Sequence, residues 1–163
     1  MRILGIDPGS RVTGFGVIDS NGRQSKHVFS GCIRTVNKDF SARLGEIFIG
    51  IQSVLQEHQP DQVAVEQVFM AANPSSALKL GHARGAAITA AVIAELPVFE
   101  YTPRAVKLAL VGTGAAEKEQ VQHMIRLLLS VRQPMGLDES DALAVALCHA
   151  HSAGTRVKLG GQQ

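Results

Sequence analysis

Cysteine is scarce in this chain, with only Cys32 and Cys148 among 163 residues. They lie far apart and lack metal-ligand spacing, which argues against a disulfide scaffold and makes a reducing compartment the expectation. Long hydrophobic runs are missing too. The longest, Ala86 to Ala94, is broken by Thr89 and falls short of the ~20 residues a bilayer requires. The N-terminus carries no long apolar stretch of the signal-peptide kind, so a soluble cytoplasmic protein is expected. Net charge is also small, +2, and by itself says almost nothing about nucleic acid. Tryptophan is absent, tyrosine occurs once and phenylalanine six times. An aromatic in a polar loop therefore stands out.

What is present suits one domain with one sizeable core: 45% of the residues are apolar, an ordinary globular fraction. Residues 154–163, rich in Gly and Gln, read as a flexible C-terminal tail behind a domain spanning residues 1–153. Residues 2–7 read as a buried strand, turned by Pro8-Gly9-Ser10. A second strand, Val12 to Asp19, has one face left bare by Gly14 and Gly16. Asn21-Gly22 signals a hairpin, and Lys26 to Val36 completes a meander. From Asp39 to Gln59 the apolar residues Leu44, Ile47, Phe48, Ile51, Val54 and Leu55 follow helical spacing. Pro60-Asp61 ends that helix and Gln62 to Glu66 read as a strand. A strand, crossover helix and strand favour parallel pairing. A long small-residue helix opens at Asn73-Pro74 and runs to about Leu96. A last strand, Pro97 to Thr102, precedes helices at Pro103 to Leu110, Ala115 to Val131 and Asp138 to Ser152. The expected class is α/β, a five-stranded mixed sheet flanked by helices.

Four carboxylates fall at the ends of these elements. Asp7 closes the run Ile3-Leu4-Gly5-Ile6, and Glu66 closes Val63-Ala64-Val65. Asp138 and Asp141 sit one helical turn apart, on one face of the last helix. Each has a plain structural reading: Asp7 as a turn former, Asp138 as an N-cap, Glu139 as solvated surface. Glu66 resists that reading, because Glu is disfavoured in strands and a buried carboxylate needs a cation or a partner. If the first and fourth strands are parallel neighbours, their carboxyl ends lie together where open α/β sheets bind ligands. Four acids gathered there suit two Mg²⁺ ions roughly 3.5–4 Å apart, the arrangement of metal-assisted phosphodiester hydrolysis.

Setting those four aside leaves ten of the 14 acids against 16 Lys and Arg, an excess of six. That pattern is an acidic pocket in a basic surface. Lys79, Arg84, Arg104, Lys107, Lys118, Arg126 and Arg132 fall on the expected helices or their ends, and a solvated helix face is the plain reading for most. Lys107 and Lys118 are the best candidates for phosphate contacts. Phe69 follows Glu66 in the loop before Asn73, placed to stack on or wedge between bases.

The segments LGIDPGSRVTG (Leu4 to Gly14), VEQVFM (Val65 to Met70), SALKLG (Ser76 to Gly81) and DESDALA (Asp138 to Ala144) together resemble the RuvC family of Holliday junction resolvases, in the ribonuclease H-like superfamily. The resemblance runs from Met1 to about Ser152. It implies an acidic catalytic and metal-binding tetrad at Asp7, Glu66, Asp138 and Asp141, a junction-stacking aromatic at Phe69, and DNA-contacting basic residues at Lys107 and Lys118. It further implies a homodimer acting on four-way junction DNA, two Mg²⁺ per subunit with Mn²⁺ as substitute, and paired nicks in strands of like polarity. The ends would be 5′-phosphate and 3′-hydroxyl, and the RuvA–RuvB branch-migration complex would be a partner. A two-fold dimer suits a four-way junction, and the small-residue helix is its expected interface.

Three other readings compete with this one. Sugar-kinase and actin-like ATPases also open with Gly-Ile-Asp-x-Gly, but they need a second phosphate loop and a longer chain. RNA-processing nucleases of the YqgF type share the opening strand but not VEQVFM. A non-catalytic junction binder is disfavoured by an intact set of four acids, since bare carboxylates repel phosphate.

Overall fold

The computed structural model describes residues 1–67 and 73–160, the last seven of these by backbone alone. Strand β1 (Arg2–Asp7) pairs antiparallel with β2 (Val12–Ser20), which pairs antiparallel with β3 (Ser25–Arg34). Gly22 turns the β2–β3 hairpin at φ 82°, and Asn21 Oδ1 accepts from the backbone N–H groups of Arg23 and Gln24. Helix α1 (Phe40–His58) then crosses to β4 (Gln62–Glu66), which lies parallel to β1 with Ile6 opposite Val65. Helix α2 (Pro74–Ile93) leads to β5 (Val98–Tyr101), parallel to β4. Helices α3 (Pro103–Val111), α4 (Lys118–Leu129) and α5 (Leu137–Gly160) complete the described chain. The sheet order is β3-β2-β1-β4-β5, the mixed α/β arrangement expected from the meander and crossover.

Local chemistry explains the boundaries. Asp39 caps α1 by accepting from Ala42 N–H at 2.8 Å, and Asn73 caps α2 through Ser75 and Ser76, with Pro74 at the first position. Helix α4 starts three residues later than its periodicity suggests. Gln120 reaches back to the Glu117 N–H, half of a capping box that sets the start at Lys118. Helix α5 continues to Gly160, beyond Ser152. Phe69 lies outside the described residues.

Two apolar clusters sandwich the sheet. Ile47, Ile51, Val54 and Leu55 of α1 and the alanines of α2 pack on one face with Leu4, Ile6, Val63 and Val65. On the other face α3, α4 and α5 pack on Ile3, Ile18 and Ala64. Each fully buried Ile or Leu contributes about 1.5–3 kcal/mol. The bare stripe on β1 and β2 has a specific occupant, α5. A Cβ added at Gly5 would stand 2.1 Å from the Ala142 carbonyl oxygen, and one at Gly14 2.0 Å from that of Asp138. Only glycine permits such an approach. Gly14 is also the register partner of Asp7, so one contact seats the start of α5 beside the end of β1. Among the described residues, no helix is long and apolar enough to cross a membrane.

Candidate active site

Three elements deliver the four acids to one end of the sheet. Asp7 and Glu66 are the last residues of neighbouring parallel strands, each one step past the Ile6–Val65 pair. Their carboxyl groups face each other closely enough to perturb one another's protonation. Asp138 and Asp141 lie in the first turns of α5, which starts at Leu137. Asp138 is therefore inside the helix and not its cap. Glu139, expected on solvated surface, is half-buried and accepts from the Gly136 N–H at 2.8 Å, closing the helix start. The dipole at this N-terminus lowers the cost of the aspartates.

The electrostatics are those of crowded acids. Burial, followed by the charges of Glu66, Asp141 and Asp138, pushes the Asp7 carboxyl up to about 8. Glu66 is also raised, first by burial and then by Asp141, with Asp7 and Lys118 pulling the other way. Lys118 Nζ donates to Asp141 Oδ2 at 2.8 Å, and that bond holds the ammonium above the usual lysine range. A cavity of about 190 Å³ opens here. Glu66, Asp141, Lys107 and Lys118 line it, and Pro103 and Val106 form an apolar wall.

The structure thus brings together six of the seven residues singled out from sequence, and the seventh, Phe69, falls outside the described residues. Sequence reasoning missed the ion pair between Lys118 and Asp141. It also missed Arg84, read as a solvated helix residue but bonded to the Glu66 carbonyl oxygen and to Glu100. The available signal was its place next to Ala83 and three residues before Ala87, the small residues that face the sheet.

Whether this set suits a divalent cation is a question of donor chemistry. Among the described residues, no group of three or more acid, His or Cys side chains is closed around a common metal position. Lys118 takes up an Asp141 oxygen that a cation would use. Yet the donors are all carboxylate oxygens, which hard cations prefer. The raised Asp7 and Glu66 carboxyls mark negative charge that the protein alone leaves unbalanced, so the residues fit such an ion.

The same shifts make stability pH-dependent. Both groups are raised above their ordinary values, 3.8 for Asp7 and 4.5 for Glu66, so the folded state binds protons more tightly than the unfolded chain. Their contribution is intact below those ordinary values and is lost as pH rises through the folded value of about 8 for Asp7. The cation-free protein is expected to melt a few degrees lower at pH 8.5 than at pH 5.5. Added Mg²⁺ should recover the difference at the higher pH. Calorimetry at both pH values, with and without chelator, checks this; a melting temperature flat with pH would contradict the charge crowding.

A family model described as Crossover junction endodeoxyribonuclease RuvC matches residues 3–149. The crossover junction endodeoxyribonuclease RuvC of Vibrio vulnificus (strain CMCP6) is 55% identical over 160 residues, covering 98% of this chain and 92% of the relative. That of Yersinia enterocolitica is 56% identical over 161 residues, covering 99% and 93%. Among solved structures, Thermus thermophilus RuvC in complex with Holliday junction substrate matches with a TM-score of 0.90 at 36% identity, over 96% of each chain. The yeast mitochondrial Holliday junction resolvase Ydc2 shares the fold at a TM-score of 0.69 and 13% identity, over 98% of this chain and 80% of Ydc2. With more than half its residues shared with such relatives along nearly its whole length, the chain belongs to the RuvC family of crossover junction endodeoxyribonucleases.

Proposed function

We propose that this chain is a structure-specific endonuclease that resolves Holliday junctions in homologous recombination and DNA repair, by paired metal-dependent nicks in two strands of like polarity. The observation that carries this reading is the convergence of Asp7, Glu66 and Asp141 with Lys107 and Lys118 at the carboxyl ends of two parallel strands. Family membership supports it and disfavours the RNA-processing and non-catalytic alternatives.

In this reading Asp7, Glu66, Asp138 and Asp141 hold Mg²⁺, two ions per subunit, with Mn²⁺ as substitute. Divalent ions there supply neutralisation of phosphate charge and activation of the attacking water. The chain's own groups do the rest. Lys107 and Lys118 bind the phosphate backbone beside the cut and set its register. Lys118 already stands at the rim, held by Asp141, where its ammonium would be available to a backbone phosphate. Pro103 and Val106 keep one wall of the cavity dry, which strengthens each charge interaction within it. Phe69 holds the junction bases apart. Products carry 5′-phosphate and 3′-hydroxyl ends.

The protein works as a cytoplasmic homodimer beside the RuvA–RuvB complex, with residues 1–153 as the nuclease unit and 154–163 as a C-terminal extension whose first seven residues prolong α5. The outward face of α2 supports the dimer: Leu78, Val92 and Ile93 are exposed, and a Cβ at Gly81 or Gly85 would meet nothing within 4 Å. Two sites related by two-fold symmetry then reach two equivalent strands.

The test is incubation with a mobile synthetic four-way junction, mapping nicks on all four strands with and without Mg²⁺. Symmetric nicks in one strand pair, present only with the ion, are expected. Cleavage of structured RNA in preference to the junction, or a monomer in sedimentation at micromolar concentration, would overturn the reading.

A further inference from the structure

Glu66 lies one residue past the last β1–β4 pair, Ile6–Val65, so its carbonyl is beyond that ladder. The group that reaches it comes from another element. Arg84 of α2 donates from Nε to the Glu66 carbonyl oxygen at 3.2 Å. The other end of the same guanidinium is anchored: Arg84 Nη2 meets Glu100 Oε2 of β5 at 2.5 Å. Gln67 Nε2 lies 3.4 Å from that carboxylate oxygen, and the Gln67 N–H donates to the Tyr101 carbonyl at 2.8 Å. The chain immediately after Glu66 is thus tied to β5 by backbone and side chain, and Glu66 itself to α2. Arg84 is largely buried, its side chain 21% exposed, whereas that of Glu100 is 43% exposed. A planar guanidinium with donors in a fixed fork suits two acceptors at a set angle, and a lysine ammonium does not reproduce that geometry.

We propose that Arg84, held by Glu100, is a positioning residue for Glu66: it fixes the backbone at the end of β4 so that the Glu66 carboxyl meets Asp7 and the cation. This rests on the metal-dependent reading of the site given above. Residues that orient a ligand without touching the metal typically change affinity or activity by about 10–100-fold.

The experiment compares Arg84→Met, Arg84→Lys and Glu100→Gln with the unaltered protein on a synthetic four-way junction. It measures single-turnover cleavage against Mg²⁺ concentration, junction affinity without metal, and the rise in melting temperature that Mg²⁺ produces. Arg84→Met should cut at a rate about 10–100-fold lower and need more Mg²⁺. Its Mg²⁺-induced melting shift should shrink, with metal-free junction affinity within about twofold, since no phosphate contact is lost. Arg84→Lys should recover part of the loss. Glu100→Gln should move the rate and the Mg²⁺ requirement in the same direction as Arg84→Met.

A direct phosphate contact by Arg84 predicts opposite signs: Arg84→Met would weaken metal-free binding, and Glu100→Gln, which removes a negative charge, would tighten it. That pattern would overturn the proposal, as would cleavage unchanged in all three variants. Should Arg84→Met not fold, Glu100→Gln and Arg84→Lys decide by the same signs. Absence of junction cleavage by the unaltered protein would refute the functional reading instead.

Discussion

Asp7→Asn is expected to cut a four-way junction at least about 10³-fold more slowly at saturating Mg²⁺, while binding it as well as the unaltered protein and melting at a higher temperature without metal. The three outcomes share one cause. Asp7 is the acid most crowded by the others, pushed up to about 8 by burial and by Glu66, Asp141 and Asp138. An amide removes the charge those neighbours oppose but keeps the shape and a donor toward Glu66. Stability should rise by on the order of 1–2 kcal/mol near pH 8, a few degrees in a domain of this size. Junction affinity without metal should not fall, since a carboxylate removed from a DNA-facing pocket is one repulsion fewer. Cleavage should collapse because cation binding here draws on that same unbalanced charge, and Lewis-acid stabilisation is worth several kcal/mol. Gel-shift binding in EDTA, single-turnover cleavage in Mg²⁺ and calorimetry measure the three. A variant that cuts within about tenfold of normal would remove Asp7 from the chemistry.

Gly14→Ala should be among the more damaging single-methyl changes in the protein. Its new Cβ would fall 2.0 Å from the Asp138 carbonyl oxygen and 2.5 Å from its carbon. Both are backbone atoms at the start of a helix and cannot swing aside as a flexible side chain can. Either the fold accepts the strain, costing about 1–3 kcal/mol or more, or the start of α5 lifts from β2. The second route carries Asp138 and Asp141 away from Asp7 and Glu66, and a misplacement of about 1 Å in a reacting constellation can cost on the order of 10²-fold in rate. Gly45→Ala is the control, because a Cβ there meets nothing within 4 Å and the residue lies within α1. It should leave cleavage unchanged and raise stability by up to about 1 kcal/mol. Nearly normal cleavage by Gly14→Ala would mean that the close seating of α5 is not what places the aspartates.

The acids were legible in the chain because each ends a local pattern. Apolar runs closing on Asp7 and Glu66 mark strand ends. The crossover helix between them makes those strands parallel, so both ends point the same way. The three-residue spacing of Asp138 and Asp141 follows from helix geometry alone. What escaped were contacts between groups remote in sequence. Lys118 and Asp141 are 23 residues apart, and Arg84 reaches Glu66 across 18. Neither side chain belongs to a periodic pattern that would announce its partner. Gly14 showed a bare strand face without saying what covered it. Helix boundaries slipped where caps decided them, as at Glu117 and Gly136.

The linear order of residues determined which elements form, which way β1 and β4 run, and which carboxylates stand at their ends, because backbone periodicity and turn chemistry act over a few residues. Only the tertiary structure decided how closely those carboxylates crowd, which ammonium holds Asp141, and that α2 supplies the guanidinium behind Glu66. Burial and charge spacing depend on distances between elements, and a change of one ångström there alters the electrostatics without altering any local pattern.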